Sequence, residues 1–239
     1  MLPLRDLNRP TTTPHVNRML LLANIIIFAV YWFSSSSILL DPKLANAMAN
    51  PNGPTGTFVM VPNEIIQGQH LFTIFTSMFM HDPTSFEAGL IHIFGNMLFL
   101  YVFGENVEDA FGHFTYLAFY LFSGLAAALG YITIVGLTDP SGLADSVLGA
   151  SGAISGVLGA YVVLYPKARI LAFLYVIILP IPAIIFLGFW FVLQWLYQIF
   201  NISGGVAYWA HIAGFIAGIT LTLAFGLKRR KAREARLRL

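Results

Sequence analysis

Four polar side chains are notable because they occur inside strongly apolar stretches, where an unpaired polar group costs several kcal/mol. They are Ser151, His211, His92 and Asn96. A serine hydroxyl becomes a useful nucleophile when a base within about 3 Å takes its proton, and histidine, with an unperturbed pKa of about 6.5, is a common base. Asparagine and histidine N–H groups can stabilise the oxyanion that forms on attack. These residue types therefore predict nucleophilic serine chemistry.

The composition indicates that these side chains lie within a membrane. Hydrophobic residues make up 57% of the 239-residue chain, 10% of residues are charged, and the mean hydropathy is +0.75. Soluble domains carry about 25% charged residues, so this chain cannot cover a globular surface with polar groups. An ordinary soluble enzyme and a disordered protein are thereby excluded. The chain has no cysteine, which excludes disulfides and thiolate chemistry, and its net charge of +2 gives no argument for nucleic-acid binding.

The apolar segments predict an all-α, polytopic membrane fold with six transmembrane helices. The predicted spans cover residues 19–33, 90–104, 114–136, 148–165, 182–200 and 206–227. Apolar sequence continues from residue 170 to residue 200, which is too long for one upright helix, and Pro180 and Pro182 interrupt it. We interpret residues 170–179 as a membrane-dipping or interfacial connection. Two short spans in this region, making seven in all, are the alternative.

The basic residues predict the topology. Twelve of the thirteen Lys and Arg residues fall on the side of both termini, and only Lys43 falls on the other side. By the positive-inside rule both termini are then cytoplasmic, and the basic tail contacts anionic lipid headgroups. An apolar part of the external loop, residues 70–80, is too short to span and predicts a helix on the membrane surface. The predicted segments are a cytoplasmic N-terminal segment (1–18), a membrane domain (19–227) with an external loop (34–89), and a basic cytoplasmic tail (228–239).

The four polar side chains are predicted to share one depth. The second, fourth and sixth spans all enter from the external face, and at 1.5 Å per residue the four side chains lie roughly 3–9 Å below that end of their helices. Gly152 and Gly156 on the fourth span, and Gly214 and Gly218 on the sixth, form small-residue ridges that let two helices approach closely. Because these three spans carry no carboxylate at this depth, we predict a Ser–His dyad rather than a triad.

Three motifs resemble the rhomboid family of intramembrane serine proteases. They are His92-x-x-x-Asn96, Gly149-x-Ser151-Gly152, and His211 followed by Gly214 and Gly218. Residues 78–81 and 104–109 are also similar to family segments, so the resemblance covers about residues 69–226. It implies a six-helix rhomboid-like core that hydrolyses a peptide bond in or near the transmembrane segment of a membrane-protein substrate.

The resemblance also implies a role for each site residue. Ser151 would be the nucleophile and His211 the general base, while His92 and Asn96, with the backbone N–H of Ser151, would form the oxyanion site. No cofactor and no metal are implied. The best-known members carry a tyrosine one turn after the nucleophile, stacked on the base. Here that position is Ser155, so another residue must orient His211.

Other polar residues are interpreted as structural. Ser155, Ser123 and Thr133 are predicted to pack with their hydroxyl groups bonded to the backbone of the preceding turn. Glu105, Glu108 and Asp109 lie on the cytoplasmic side, far from the external layer, and are predicted to cap helices or order loops.

Two other functions compete with proteolysis. A catalytically inactive rhomboid-like protein that binds membrane helices would have no need of the intact pair Ser151 and His211. A channel or transporter would carry polar residues through the full membrane thickness, whereas here they are confined to the outer layer. The compact layout favours a bacterial cytoplasmic membrane as the location, with an organelle membrane as the alternative.

Overall fold

The computed structural model describes residues 1–35, 58–82, 85–202 and 205–231. Much of the predicted external loop (residues 36–57, 83 and 84) and most of the predicted basic tail (residues 232–239) lie outside the described residues.

Within the described residues, six helices of at least 14 residues correspond one to one with the six predicted spans. They are α1 (His15–Ser35), α2 (Phe86–Phe111), α3 (His113–Thr138), α4 (Ser151–Leu164), α5 (Ala183–Ile199) and α6 (Tyr208–Leu221). A π-helical turn, Thr222–Gly226, extends α6, so that its helical stretch runs to Lys231. Four of the six are long and apolar enough to cross a membrane, whereas α4 and α5 are shorter. The predicted multi-helix membrane fold is confirmed.

Short helical segments between α1 and α4 close the end of the bundle at which α4 begins. They are helices Pro62–Ile66 and Thr73–Thr76 and the 3₁₀ turns Ser77–Phe79 and Pro140–Ala144. The apolar stretch 70–80, predicted as one surface helix, is therefore broken into shorter pieces. Two contacts tie this region to the segment that leads into α4. Met60 pairs with Val147 in an isolated β-bridge, and the backbone N–H of Gly149 donates to the carbonyl of Ser77 at 2.9 Å.

A three-stranded antiparallel sheet lies at the opposite end of the bundle. Its strands, in spatial order, are β1 (Leu2–Asp6), β2 (Arg169–Leu174) and β3 (Ile177–Pro182). Residues 170–179 are thus a connection, as predicted, but they form a β-hairpin that the all-α prediction did not include. The alternative of a seventh span is wrong. The physical reason is that Pro180 and Pro182 favour extended backbone around them, and each apolar run is only six residues long.

Close contact between α4 and α6 forms the centre of the bundle. A methyl group placed on Gly214 would lie 2.2 Å from the carbonyl oxygen of Gly152, and one on Gly218 would lie 2.0 Å from that of Gly156. The predicted glycine ridges are therefore the surfaces at which the two helices meet. This contact brings the first turn of α4 beside the first turns of α6.

Acidic residues at the end of α2 hold the N-terminal segment in place. The Glu108 carboxylate accepts hydrogen bonds from the backbone N–H groups of Val16 and Asn17, at 2.9 and 2.6 Å, in the first turn of α1. That position favours a negative charge because the N–H groups there lack intrahelical partners. Asp109 accepts from the backbone N–H groups of residues 11 and 12, both at 3.0 Å. The predicted capping and loop-ordering roles of these two carboxylates are confirmed.

The end of β1 is joined to the helices by a buried carboxylate. Asp6 accepts hydrogen bonds from the hydroxyl of Tyr161 on α4, from the side-chain amide of Asn106 on α2 at 2.6 Å, and from the backbone N–H of Asn8 at 2.8 Å. Burial raises the pKa of Asp6 although these donors oppose the shift. The network connects β1 to both α2 and α4 at the sheet end of the bundle.

Candidate active site

One cavity brings together all four side chains that the sequence predicted as a site. It has a volume of about 550 Å³, and its lining includes Ser151, His211, His92 and Asn96, together with Trp190. Volumes of 300–1,000 Å³ are typical of ligand pockets. The cavity lies where α4 and α6 begin, at the end of the bundle opposite the β-sheet. The four predicted side chains reach it from three helices, α2, α4 and α6.

Ser151 is the first residue of α4, and the backbone before it is specially shaped. Gly149 has φ +113°, a conformation that residues with a side chain rarely adopt. A methyl group on Gly149 would lie 2.9 Å from Nε2 of His92 and 3.6 Å from the Ser151 hydroxyl oxygen. The first turn of α4 closes where the N–H of Ile154 donates to Ala150 at 2.9 Å. The earlier N–H groups of this turn, including that of Ser151, lack intrahelical carbonyl partners.

His211 is held by two residues of α5 that the sequence analysis missed. Its Nδ1 lies 2.8 Å from Oε1 of Gln194, and its ring stacks on Trp190 with a centroid separation of 6.0 Å and an interplanar angle of 29°. Tyr208 meets the same imidazole edge to face at 6.3 Å. A usable signal was present, because Gln194 is a polar residue within an apolar span. A polar residue in an apolar span is the same signal that pointed to the four predicted side chains.

The described residues contain no hydrogen bond between Ser151 and His211. Catalytic hydrogen bonds are often long in unliganded enzymes and tighten when substrate binds. The structure therefore brings Ser151 and His211 into one cavity and holds the imidazole of His211 through its Nδ1 atom.

His92 and Asn96 present hydrogen-bond donors to the same cavity. The backbone N–H of Asp82 donates to Nδ1 of His92 at 3.3 Å, so in the neutral ring the proton is on Nε2, the atom close to Gly149. Asn96 is buried, and among the described residues its side-chain nitrogen has no hydrogen-bond partner. A buried donor without a partner requires an explanation, and a transient oxyanion supplies one.

His81 packs behind this pair rather than in the cavity lining. Its ring meets that of His92 edge to face at a centroid distance of 5.1 Å. Burial, followed by the neighbouring imidazole of His92, lowers the pKa of His81 to about 3. His81 therefore stays neutral at physiological pH and supports His92 by packing.

Comparison with known proteins decides the family. The sequence model of the rhomboid domain matches residues 68–228, more than half of the chain. The chain belongs to the rhomboid family. The resemblance carried by the three motifs is thereby confirmed, and this rhomboid is an integral membrane protein with several spanning helices.

Several curated rhomboid proteins are similar to this chain. The Rhomboid protease AarA of Providencia stuartii is 31% identical over a 166-residue alignment that covers 61% of this chain and 55% of that protein. Rhomboid protein 1, mitochondrial, of Saccharomyces cerevisiae is 30% identical over 152 residues, 61% of this chain and 41% of that protein. RHOMBOID-like protein 12, mitochondrial, of Arabidopsis thaliana is 27% identical over 166 residues, 65% of this chain and 46% of that protein. The chain thus spans about half the length of these relatives.

Ser155, which stands where the best-known rhomboids carry a tyrosine, is structural. Its hydroxyl donates to the backbone carbonyl of Ser151 at 2.6 Å, as predicted. Thr133 bonds in the same way to Leu129 at 2.8 Å. The same prediction is wrong for Ser123, whose buried hydroxyl has no hydrogen-bond partner among the described residues. In this rhomboid His211 stacks on Trp190, which lies on α5, whereas Ser155 lies on α4.

If the chain cleaves membrane proteins, as proposed below, replacing Gly149 with alanine should lower the cleavage rate about 10²-fold or more. The new methyl group would displace His92 from its position beside Ser151, and misplacing a catalytic group by about 1 Å has an effect of this size. The matched control is Gly68→Ala. Gly68 also has a positive φ, +75°, but nothing lies within 4 Å of its added methyl group. Equal cleavage by the two variants would contradict the placement of His92 beside the nucleophile.

Proposed function

We propose that this rhomboid is an intramembrane serine endopeptidase that cleaves membrane proteins in or near a transmembrane segment. The observation that supports the proposal is the convergence of Ser151, His211, His92 and Asn96 on one cavity. Membership of the rhomboid family supports the same conclusion, as does the similarity to a bacterial rhomboid protease. The chemistry needs no cofactor and no metal.

In the proposed mechanism, Ser151 Oγ attacks the carbonyl carbon of the scissile peptide bond while Nε2 of His211 takes the hydroxyl proton. The carbonyl oxygen becomes an oxyanion and accepts hydrogen bonds from Nε2 of His92, the amide of Asn96 and the backbone N–H of Ser151. His211 then gives its proton to the leaving amine, and the carbon–nitrogen bond breaks. Water hydrolyses the acyl-enzyme in a second round of the same steps, with His211 again acting as base.

The proposed catalytic unit is a dyad supported by an amide. Nδ1 of His211 faces the side-chain oxygen of Gln194, at the place where a triad carries a carboxylate. Moving a carboxylate from water into a membrane interior costs much free energy unless the carboxylate is well paired. Moving a neutral amide costs much less.

The proposed orientation places both termini in the cytoplasm and the cavity on the external side of a bacterial cytoplasmic membrane. The strand β1 and the hairpin β2–β3 lie at one end of the bundle, and the Arg230 side chain at the end of the sixth span bonds to the carbonyl of Leu164 at the same end. The cavity lies at the opposite end. Basic residues thus group at the sheet end, which the positive-inside rule assigns to the cytoplasm. There the basic tail would contact anionic membrane lipid.

A serine-directed fluorophosphonate tests the proposal. Purified protein in lipid nanodiscs should be labelled and should cleave a membrane-anchored substrate, and Ser151→Ala should abolish both activities. Ser155→Ala is the matched control, because its hydroxyl lies one turn away and bonds to the backbone. The control should behave like the unsubstituted protein.

Two outcomes would overturn the proposal. Labelling that persists in Ser151→Ala and disappears in Ser155→Ala would show that the nucleophile is wrongly assigned. Absence of both labelling and cleavage in the unsubstituted protein, across a broad panel of membrane substrates, would favour a catalytically inactive rhomboid that binds membrane helices.

A further inference from the structure

The helix α5 carries a buried amide that touches the proposed base. Gln194 is only 6% exposed within a helix of otherwise mainly apolar residues. Its side-chain nitrogen donates to the backbone carbonyl of Trp190 at 3.2 Å, and its side-chain oxygen lies 2.8 Å from Nδ1 of His211. The amide therefore bridges the backbone of its own helix and the imidazole of α6.

These two contacts determine which imidazole nitrogen carries the proton. A backbone carbonyl can only accept a hydrogen bond, so the NH₂ group of Gln194 must face Trp190. The oxygen of Gln194 then faces His211, and because it too can only accept, Nδ1 must be the donor. A neutral imidazole has a single N–H. Nε2 of His211 is therefore left with a free lone pair.

We propose that Gln194 is a positioning residue that holds His211 in the tautomer protonated at Nδ1, so that Nε2 can accept the Ser151 proton. The proposal rests on the proposed function. Trp190 completes the arrangement, since its ring stacks on the imidazole while its carbonyl orients the amide. One face and one edge of the imidazole are thus held by α5. Together these contacts perform the orienting role for which the tyrosine position, occupied here by Ser155, is unavailable.

Gln194 could instead serve only to join α5 to α6, since interhelical hydrogen bonds are common in membrane bundles. The two roles predict different results. A purely structural amide would affect the stability of the protein without selecting a tautomer or changing the chemical step. A positioning amide would affect the tautomer and kcat, while substrate binding and KM would change little.

Nitrogen NMR tests the tautomer without requiring activity. The full chain, labelled with ¹⁵N-histidine and reconstituted in nanodiscs at pH 8, should show His211 protonated at Nδ1 and bare at Nε2. The signal is assigned by its loss in His211→Gln. In Gln194→Met, which keeps nearly the same volume but lacks the amide oxygen, the Nε2–H tautomer should be populated. An unchanged tautomer in Gln194→Met would overturn the proposal, even for a protein that cleaves no substrate.

Kinetics supply the second measurement. Gln194→Met should lower kcat about 10²-fold with KM changed less than about 3-fold, a loss within the range for general-base catalysis. Gln194→Glu, as the neutral carboxylic acid that burial favours, keeps an acceptor oxygen for His211 and an O–H donor for the Trp190 carbonyl, and should remain within about 10-fold of the unsubstituted protein. Gln198→Leu, one turn further along α5, is the matched control and should keep full activity. The proposal fails if Gln194→Met and Gln198→Leu are equally active, or if Gln194→Glu is no better than Gln194→Met.

Discussion

Replacing His211 with glutamine should lower kcat for cleavage of a membrane substrate about 10⁶-fold, while KM changes only a few-fold. Without the imidazole, no base takes the proton of the Ser151 hydroxyl, and losses of this size follow when either member of a serine–histidine pair is removed. The cavity keeps its remaining lining residues, so substrate binding should persist. Excess enzyme and long incubation in liposomes, with quantified product, measure the residual rate.

The double variant Ser151→Ala with His211→Gln should be no slower than either single variant, because the two groups act as one unit. Ser155→Ala, combined with His211→Gln, serves as the matched control and should also give the single-variant rate. If His211→Gln retains more than about 1% of the unsubstituted rate, the base must be another residue. Losses that multiply in the double variant would show that the two side chains act independently.

Replacing Gly218 with alanine should destabilise the protein by about 3 kcal/mol, although alanine is intrinsically the better helix former. The added methyl group would lie 2.0 Å from the carbonyl oxygen of Gly156, and it would also meet the Gly156 backbone carbons at 2.6 and 2.7 Å. These atoms all belong to the backbone of α4. Relief therefore requires α4 and α6 to separate, because no side chain can rotate away.

Gly188→Ala is the matched control for that measurement. Gly188 lies in the middle of α5, and nothing lies within 4 Å of a methyl group placed on it. Its substitution should be neutral or stabilising by up to about 1 kcal/mol. Unfolding of both variants in detergent, followed by circular dichroism, compares them directly. An equal or smaller loss in Gly218→Ala would mean that the two helices are further apart than the structure describes.

The convergence of four polar side chains on one cavity could be predicted from the sequence because a membrane makes polar residues informative. A histidine, serine or asparagine in an apolar span is costly unless it is paired or functional. One shared depth was predicted for four such residues, His92, Asn96, Ser151 and His211. The glycine spacing on the fourth and sixth spans then indicated which helices meet. Hydropathy indicated the six apolar helices, since an apolar run of sufficient length has few alternatives in lipid, but it left a seventh span open in residues 170–200.

The missed elements depend on information that local patterns do not carry. The strand β1 pairs with β2, so that Leu2 lies opposite Phe173, and no local signal specifies a partner so distant in sequence. The apolar run 170–174 reads equally well as part of a helix or as a buried strand. The polarity of Gln194 within an apolar span was visible in the sequence, but its contact with His211 depends on the rotation of α5 about its axis, which is set by packing against α6.

The sheet also has a consequence for the order of assembly during synthesis. The strand β1 leaves the ribosome before the six helices, but its pairing partner β2 follows α4, so β1 cannot pair with β2 until the fourth helix has been made. The buried contacts of Asp6 likewise wait for Asn106 and Tyr161. Pairing of β1 with β2 therefore anchors the C-terminal end of α4, the helix that begins at Ser151. Ser151 and the sheet that anchors the other end of its helix are thus completed at the same stage of synthesis.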